Sequence, residues 1–319
     1  LHIPNFSGRT KIARFFRQKT GKHIPYIRED ELYPFLFISN QKSFKKKCFL
    51  AMYSKIDCIF TFLKNSMFRP RIIPVLLLKN RILVKSVRFK DPTYIGDPIN
   101  AVKIFNDLEA DELVFLDIDA TRENRLISLD FIKNVGEEAN MPFSAGGGVR
   151  SIEDIRQIIE AGAEKVIINS YAAENPDFIK EASETFGSST IVVCMDVKKK
   201  LFGGMQTWIK AGTKSSGHSP VNFAKLMEEK GAGEIIVQSI EKDGTMSGYD
   251  IELIRSISDA VTIPVIALGG AGSNNDLKEA FYEGFANGLA AGSMFVYQGT
   301  KKGVLISYPE KGEITFSDN

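Results

Sequence analysis

The chain reads as an α/β protein, an eightfold β/α barrel built from two similar half-barrels. Three observations carry that reading. Short apolar runs alternate with amphipathic segments eight times after Met67. The runs are rich in Val, Ile and Leu, as parallel strands buried on both faces require. The sequence also echoes itself: Glu112 and Glu234, Pro142 and Pro264, and Gly147 and Gly269 are each 122 positions apart.

The expected strands are 71–78, 112–117, 142–146, 164–168, 190–196, 234–238, 264–267 and 287–291. Segments such as "SIEDIRQIIEAG" and "NPDFIKEASETFG" fall between them. They open on Ser or Asn as a helix cap and close on Gly. Residues 67–319 therefore have the length of a β/α barrel, typically about 250 residues. A doubly wound sheet is the alternative, but no early glycine-rich dinucleotide fingerprint supports it. "DELVFLDIDAT" at 111–121 echoes "GEIIVQSIEKDGT" at 233–245. The repeat sets the first strand against the fifth, so that Lys79 aligns with Lys198 and Leu77 with Asp196.

Residues 1–66 differ from this body. They hold 13 Lys/Arg and 4 Asp/Glu, against 28 and 35 in residues 67–319. The segment is Phe-rich and has no clear period. It reads as an N-terminal extension produced by the choice of gene start, with poor order expected and Met67 just before the first convincing strand. A basic arm for nucleic acid or membrane is the alternative. The acidic body argues against a nucleic-acid partner. Cys48, Cys58 and Cys194 are odd in number and show no metal-type spacing, so no metal and no cofactor are expected, and a cytoplasmic location is. No apolar run reaches the roughly 18–20 residues of a membrane span.

In a β/α barrel, chemistry gathers at the C-terminal strand ends. "AGGGVRS" and "LGGAGSN" sit there, each before a helix. Glycine lets backbone N–H groups approach an anion, and a helix N-terminus adds positive potential. Asn169 and Ser170 end the fourth strand, and Gly292 and Ser293 the eighth. The strand 3/4 and 7/8 ends thus suggest two phosphate sites, using Gly147, Gly148, Asn169 and Ser170 on one side and Gly269, Gly270, Gly292 and Ser293 on the other. Tight turns are the plainer explanation of each glycine loop alone. Asp243 and Gly244 end the sixth strand, Asp117 and Asp119 the second. Asp196 ends the fifth, where a general acid/base would stand. Lys85 lies in a long first loop. His218, at a helix entry, reads as a surface or cap residue. Arg71, Glu112, Lys165 and Glu234 sit at strand starts, where alternating charge could close the barrel floor or gate a passage.

Together these residues resemble HisF, the cyclase subunit of imidazole glycerol phosphate synthase. The resemblance runs in order through "RIIP", "DELVFLDI", "GGGV", "EKVIIN", "FGS", "GAGEI", "DGTMSGYD", "GGAG" and "LAAGS". It implies a HisH-like glutaminase docked on the N-terminal barrel face, with Glu164 at a docking position. Ammonia would cross the barrel through a gate of Arg71, Glu112, Lys165 and Glu234. A substrate carrying two phosphates would bind at the top, the phosphate sites including Asp243 and Gly244, and Lys85 would match a lysine of the mobile first loop.

The family's catalytic pair of aspartates falls at Leu77 and Asp196, so the first carboxylate is missing here. "PVLLLK" at the start and "VLISYP" at the end resemble a HisF-like subgroup of surface-polysaccharide gene clusters. That resemblance implies ammonia supply to a sugar amidotransferase, forming an acetamidino sugar in lipopolysaccharide or O-antigen biosynthesis. A working cyclase of histidine biosynthesis, with Asp117 or Asp119 replacing the missing acid, is the alternative. A non-catalytic phosphate-ligand binding or scaffold subunit is a third.

Overall fold

A computed structural model describes residues 69–200, 203–299 and 302–316. The expected extension over residues 1–66 lies outside the described residues. In chain order the strands are β1 (Arg71–Lys79), β2 (Ile82–Val87), β3 (Lys90–Gly96), β4 (Leu113–Asp117), β5 (Phe143–Gly146), β6 (Lys165–Ile168), β7 (Ile191–Lys199), β8 (Met205–Ile209), β9 (Lys214–Ser215), β10 (Glu234–Ser239), β11 (Val265–Leu268), β12 (Gly288–Ala291), β13 (Tyr297–Gln298) and β14 (Gly303–Val304). The helices are α1 (Pro98–Asp107), α2 (Leu129–Glu138), α3 (Ile152–Glu160), α4 (Ser170–Glu174), α5 (Pro176–Phe186), α6 (Pro220–Glu229), α7 (Ile251–Ser258), α8 (Asn274–Tyr282) and α9 (Ser293–Val296).

Strands β1, β4, β5, β6, β7, β10, β11 and β12 pair in parallel in that order, and β12 pairs back onto β1 to close the barrel. All eight expected strands are present. Side chains alternate along each strand. One set packs outward against the helices, with Phe105, Phe115 and Phe223 buried there. Each such burial is worth about 1.5–3 kcal/mol. The other set fills the lumen with Ile73, Val114, Ile167, Val192, Ile236 and Ile266, and Leu77 and Leu116 join it.

The half-barrel repeat persists in local detail. Ser151 caps α3 and Ser273 caps α8, and in both a capping box is completed by an Asp at the third helical position, Asp154 and Asp276. Before each lies a glycine in the left-handed region. A Cβ on Gly148 (φ +75°) would lie 1.8 Å from the Arg125 carbonyl oxygen, and one on Gly270 (φ +114°) 2.2 Å from that of Gly248. No other residue fits either turn.

Two features depart from plain β/α units. The long first loop is a β-hairpin, β2 paired antiparallel with β1 and β3. Its two-residue turns, Asn80–Arg81 and Arg88–Phe89, hold four non-glycine residues at φ between 51° and 65°. Such turns match the strand twist but favour Asn-Gly. After α9, only four residues long, the short antiparallel pair β13–β14 and then an irregular strap stand where a full eighth helix would. Phe295 of α9 packs on Tyr308 of the strap, and Phe316 meets Phe281 edge-on.

The strap is pinned by Tyr308. Its hydroxyl donates to the Ile72 carbonyl (3.0 Å) and accepts from the Asp111 N–H (3.1 Å). Replacement by Phe leaves a buried donor and acceptor unpaired. We expect Tyr308→Phe to lower unfolding stability by about 1–3 kcal/mol, read from the midpoint shift in urea unfolding.

Candidate functional site: barrel floor and mouth

The four strand-start charges converge at the floor. Arg71 reaches Glu112 in a short contact and Glu234 at 2.9 Å. Lys165 reaches Glu234 at 3.0 Å and Glu112 at 3.5 Å. Each carboxylate therefore lies between two cations, which closes a ring across the barrel. Burial works against the Arg71 charge, but Glu234 and Glu112 outweigh it and raise its pKa. Ser144 on β5 adds a hydrogen bond to Glu112, Oγ to Oε1, at 2.8 Å. The sequence reading missed Ser144, though its inward position on β5 marks it.

The mouth is built on Asp196. It faces inward on β7, beside Gln238 on β10 and paired with Trp208 on β8. Burial pushes the Asp196 carboxyl up to about 7, an Asn169 hydrogen bond partly offsetting this and the Asp243 charge adding to it. A group poised there can give or take a proton near neutrality. Asn169 thus turns to Asp196, while the Ser170 hydroxyl accepts from the Lys210 N–H at 2.9 Å. Both residues sit at the strand end where the sequence placed them, with these side-chain partners.

The β2–β3 hairpin folds over this mouth. Lys85 is 5% exposed and donates to the Val75 carbonyl. Burial pulls its pKa down to about 8, against the Asp243 carboxylate. Its ammonium crowds Gly292, where a Cβ would lie 2.3 Å from Nζ. Asp243 holds the hairpin: it accepts from the Phe89 N–H (3.4 Å), Ser86 Oγ (3.5 Å) and Gln238 Nε2 (3.1 Å). Burial raises Asp243 while Lys85 and these donors hold it down. A Cβ on Gly244 would lie 2.2 Å from the Ser86 carbonyl oxygen, so this turn packs on the hairpin backbone. Ser293, 7% exposed, begins α9 beside Gly292. Gly147 and Gly269 close in on the backbone of Asp117 and Ser239.

Leu77 occupies the inward position at the end of β1 and packs with the lumen side chains. The two acids considered as its replacement are tied elsewhere. Leu116 takes the inward place on β4, which turns Asp117 outward. There Asp117 pairs with Arg125 and accepts from the N–H groups of Asp119 and Ala120. Asp119 pairs with Arg122 at 2.7 Å. A groove of about 600 Å³ lies at this outer rim, between Arg81 and the start of α2. Among the described residues no cluster of His, Cys, Asp and Glu could hold a metal ion, and no helix is long and apolar enough to cross a membrane. His218 lies beside Phe223, ring centroids 5.7 Å apart, at the entry to α6.

Fold and mouth together define a (β/α)₈, or TIM, barrel with its polar chemistry at the C-terminal strand ends. The histidine biosynthesis protein family model matches residues 71–302, and the chain belongs to that family, with HisF proteins as its relatives. It is 46% identical over 231 residues to "Imidazole glycerol phosphate synthase subunit HisF" of Alkaliphilus metalliredigens, covering 72% of this chain and 92% of the relative. It is 44% identical over 248 residues to "Putative imidazole glycerol phosphate synthase subunit hisF2" of Pseudomonas aeruginosa, covering 78% and 99%. A Streptococcus sanguinis protein named as the HisF subunit is 40% identical over 231 residues, covering 72% and 92%.

The raised Asp196 carries a stability signature. Its folded pKa of about 7 exceeds the unfolded value of 3.8, so its contribution is full below the unfolded value and is lost as pH rises through the folded one. Asp196→Asn should therefore be more stable than the parent at pH 8 by about 2–4 kcal/mol. The gap should close as pH falls toward 4, read by urea unfolding across that range.

Proposed function

We propose that this chain is the ammonia-receiving subunit of a glutaminase-coupled synthase, with the ordinary two-carboxylate cyclization given up. The observation that carries the reading is Leu77 opposite a charged ring that keeps all four members. A HisH-like glutaminase docks on the floor near Glu164 and releases ammonia there. The ring of Arg71, Glu112, Lys165 and Glu234 acts as a gate that must part to admit it. Neutral ammonia then crosses the apolar lumen, which excludes ammonium because an unpaired ion is costly there. At the mouth, Asp196 and Lys85 serve proton transfer. The glycine loops and Ser293 hold a phosphorylated small molecule.

The acceptor we favour is a sugar acetamido group, converted to acetamidino by a sugar amidotransferase in cytoplasmic lipopolysaccharide or O-antigen assembly. In that conversion ammonia adds to the amide carbon to form the C=N bond and the carbonyl oxygen leaves, as water overall, after the amidotransferase has activated it with a phosphoryl- or nucleotidyl-group donor. A second reading rests on relatives named as imidazole glycerol phosphate synthase subunits: this chain would be the cyclase subunit of such a synthase in histidine biosynthesis. The test is complementation of a histidine-requiring strain that lacks its own HisF, using the full chain with its cognate glutaminase. No growth is expected, with soluble protein and glutaminase binding verified. Growth would restore the histidine reading and defeat the first. With the missing first acid returned, Leu77→Asp should gain cyclase activity at least about tenfold over the parent, as general acid/base groups contribute about 10²–10⁴. A steady-state cyclase assay supplied with ammonium salt reads this directly.

A further inference from the structure

Four buried side-chain atoms among the described residues have no hydrogen-bond partner. Two of them, Glu234 Oε2 and Gln238 Oε1, lie on the same strand. Both occupy inward positions of β10, four residues apart, so about 13 Å separates them along the strand. Between them Ile236 faces the same lumen as Ile73, Val114, Ile167, Val192 and Ile266. Glu234 belongs to the floor ring. Gln238 stands where the apolar lining ends, level with Asp196 on one neighbour and Leu268 on the other.

The Gln238 amide is oriented. Its Nε2 donates to Asp243 Oδ1 at 3.1 Å, and turning the amide over would set its oxygen against that carboxylate. The side chain is 4% exposed. An acceptor left unpaired at such depth costs about 1–3 kcal/mol. A leucine would fill the position without that cost. The arrangement therefore suits a small visiting donor that comes along the lumen, and the apolar lining between the two acceptors admits only a neutral one.

We propose that Gln238 Oε1 is the exit-side acceptor for ammonia, taking one N–H of the molecule as it leaves the lumen. This deepens the passage reading above and rests on it. Held by one N–H against Gln238, ammonia keeps its lone pair free to turn toward the mouth beside Asp196. Gln238 is a positioning residue here: no bond is made or broken at it.

The test is side-chain NMR on the isotope-labelled full chain. Ammonium chloride is added in mildly alkaline buffer, where part of the nitrogen is neutral ammonia, and sodium chloride serves as the control. The Gln238 side-chain carbonyl and amide signals, assigned through bonds and by their loss in Gln238→Leu, should move saturably with ammonium chloride and stay still with sodium chloride. The shift should vanish in mildly acid buffer, where ammonium dominates. Signals that stay still in alkaline ammonium chloride would overturn the proposal. A shift of equal size in acid would also overturn it, because the donor would then be the cation. A second arm replaces added ammonia with glutamine turned over by the docked glutaminase. The same shift in that arm supports acceptor and passage together. A response to added ammonia but not to glutamine leaves the acceptor standing and defeats passage through the barrel.

Discussion

The structure depends on the closed parallel register of eight short strands. Once β12 pairs with β1, every second side chain of each strand must enter the lumen, and the rest must meet a helix. That single constraint places Arg71, Glu112, Lys165 and Glu234 in one ring at the floor. It stacks isoleucine and valine above them. It also brings Leu77, Asp196 and Gln238 to the mouth and turns Asp117 away from it. A shift of one residue in any strand would exchange its lumen and outer sets.

Charge is handled in opposite ways at the two ends. At the floor, cations and carboxylates pair with one another and Ser144 supplies a further donor, while Glu234 Oε2 stays unpaired. At the mouth, burial acts on groups with fewer partners, so it moves Asp196 upward and Lys85 downward. Both then titrate within reach of neutrality. The hairpin over the mouth is part of this, because Lys85 owes its burial to it and Asp243 fastens it.

The barrel was legible in the sequence because buried parallel strands leave uninterrupted Val/Ile/Leu runs. The half-barrel repeat was legible because its glycines answer to backbone contacts under 3 Å, which only glycine survives. The floor ring could be read from strand starts alone. The β2–β3 hairpin could not. Its turns use Asn80–Arg81 and Arg88–Phe89, which lack the Asn-Gly signal, and Pro92 falls inside β3, where a proline argues against a strand. At the mouth, the place of Asn169 and Ser170 at a strand end suggests phosphate donors. Their side-chain partners, Asp196 and the Lys210 N–H, depend on the β8–β9 hairpin and on inward alternation, which no local motif records. Gln238 escapes a sequence reading for the same reason: nothing beside it in sequence announces a ligand.

The pinned strap has a consequence for how the chain is made. Ile72, near the start of the first barrel strand, finds its Tyr308 partner 236 positions later. A ribosome delivers the two in order, so the lower end of β1 must stay without this seal until all eight barrel strands have been made. The barrel's first strand is thus among the last to be locked, and a chain stalled before Tyr308 would leave that seam open to chaperones and proteases.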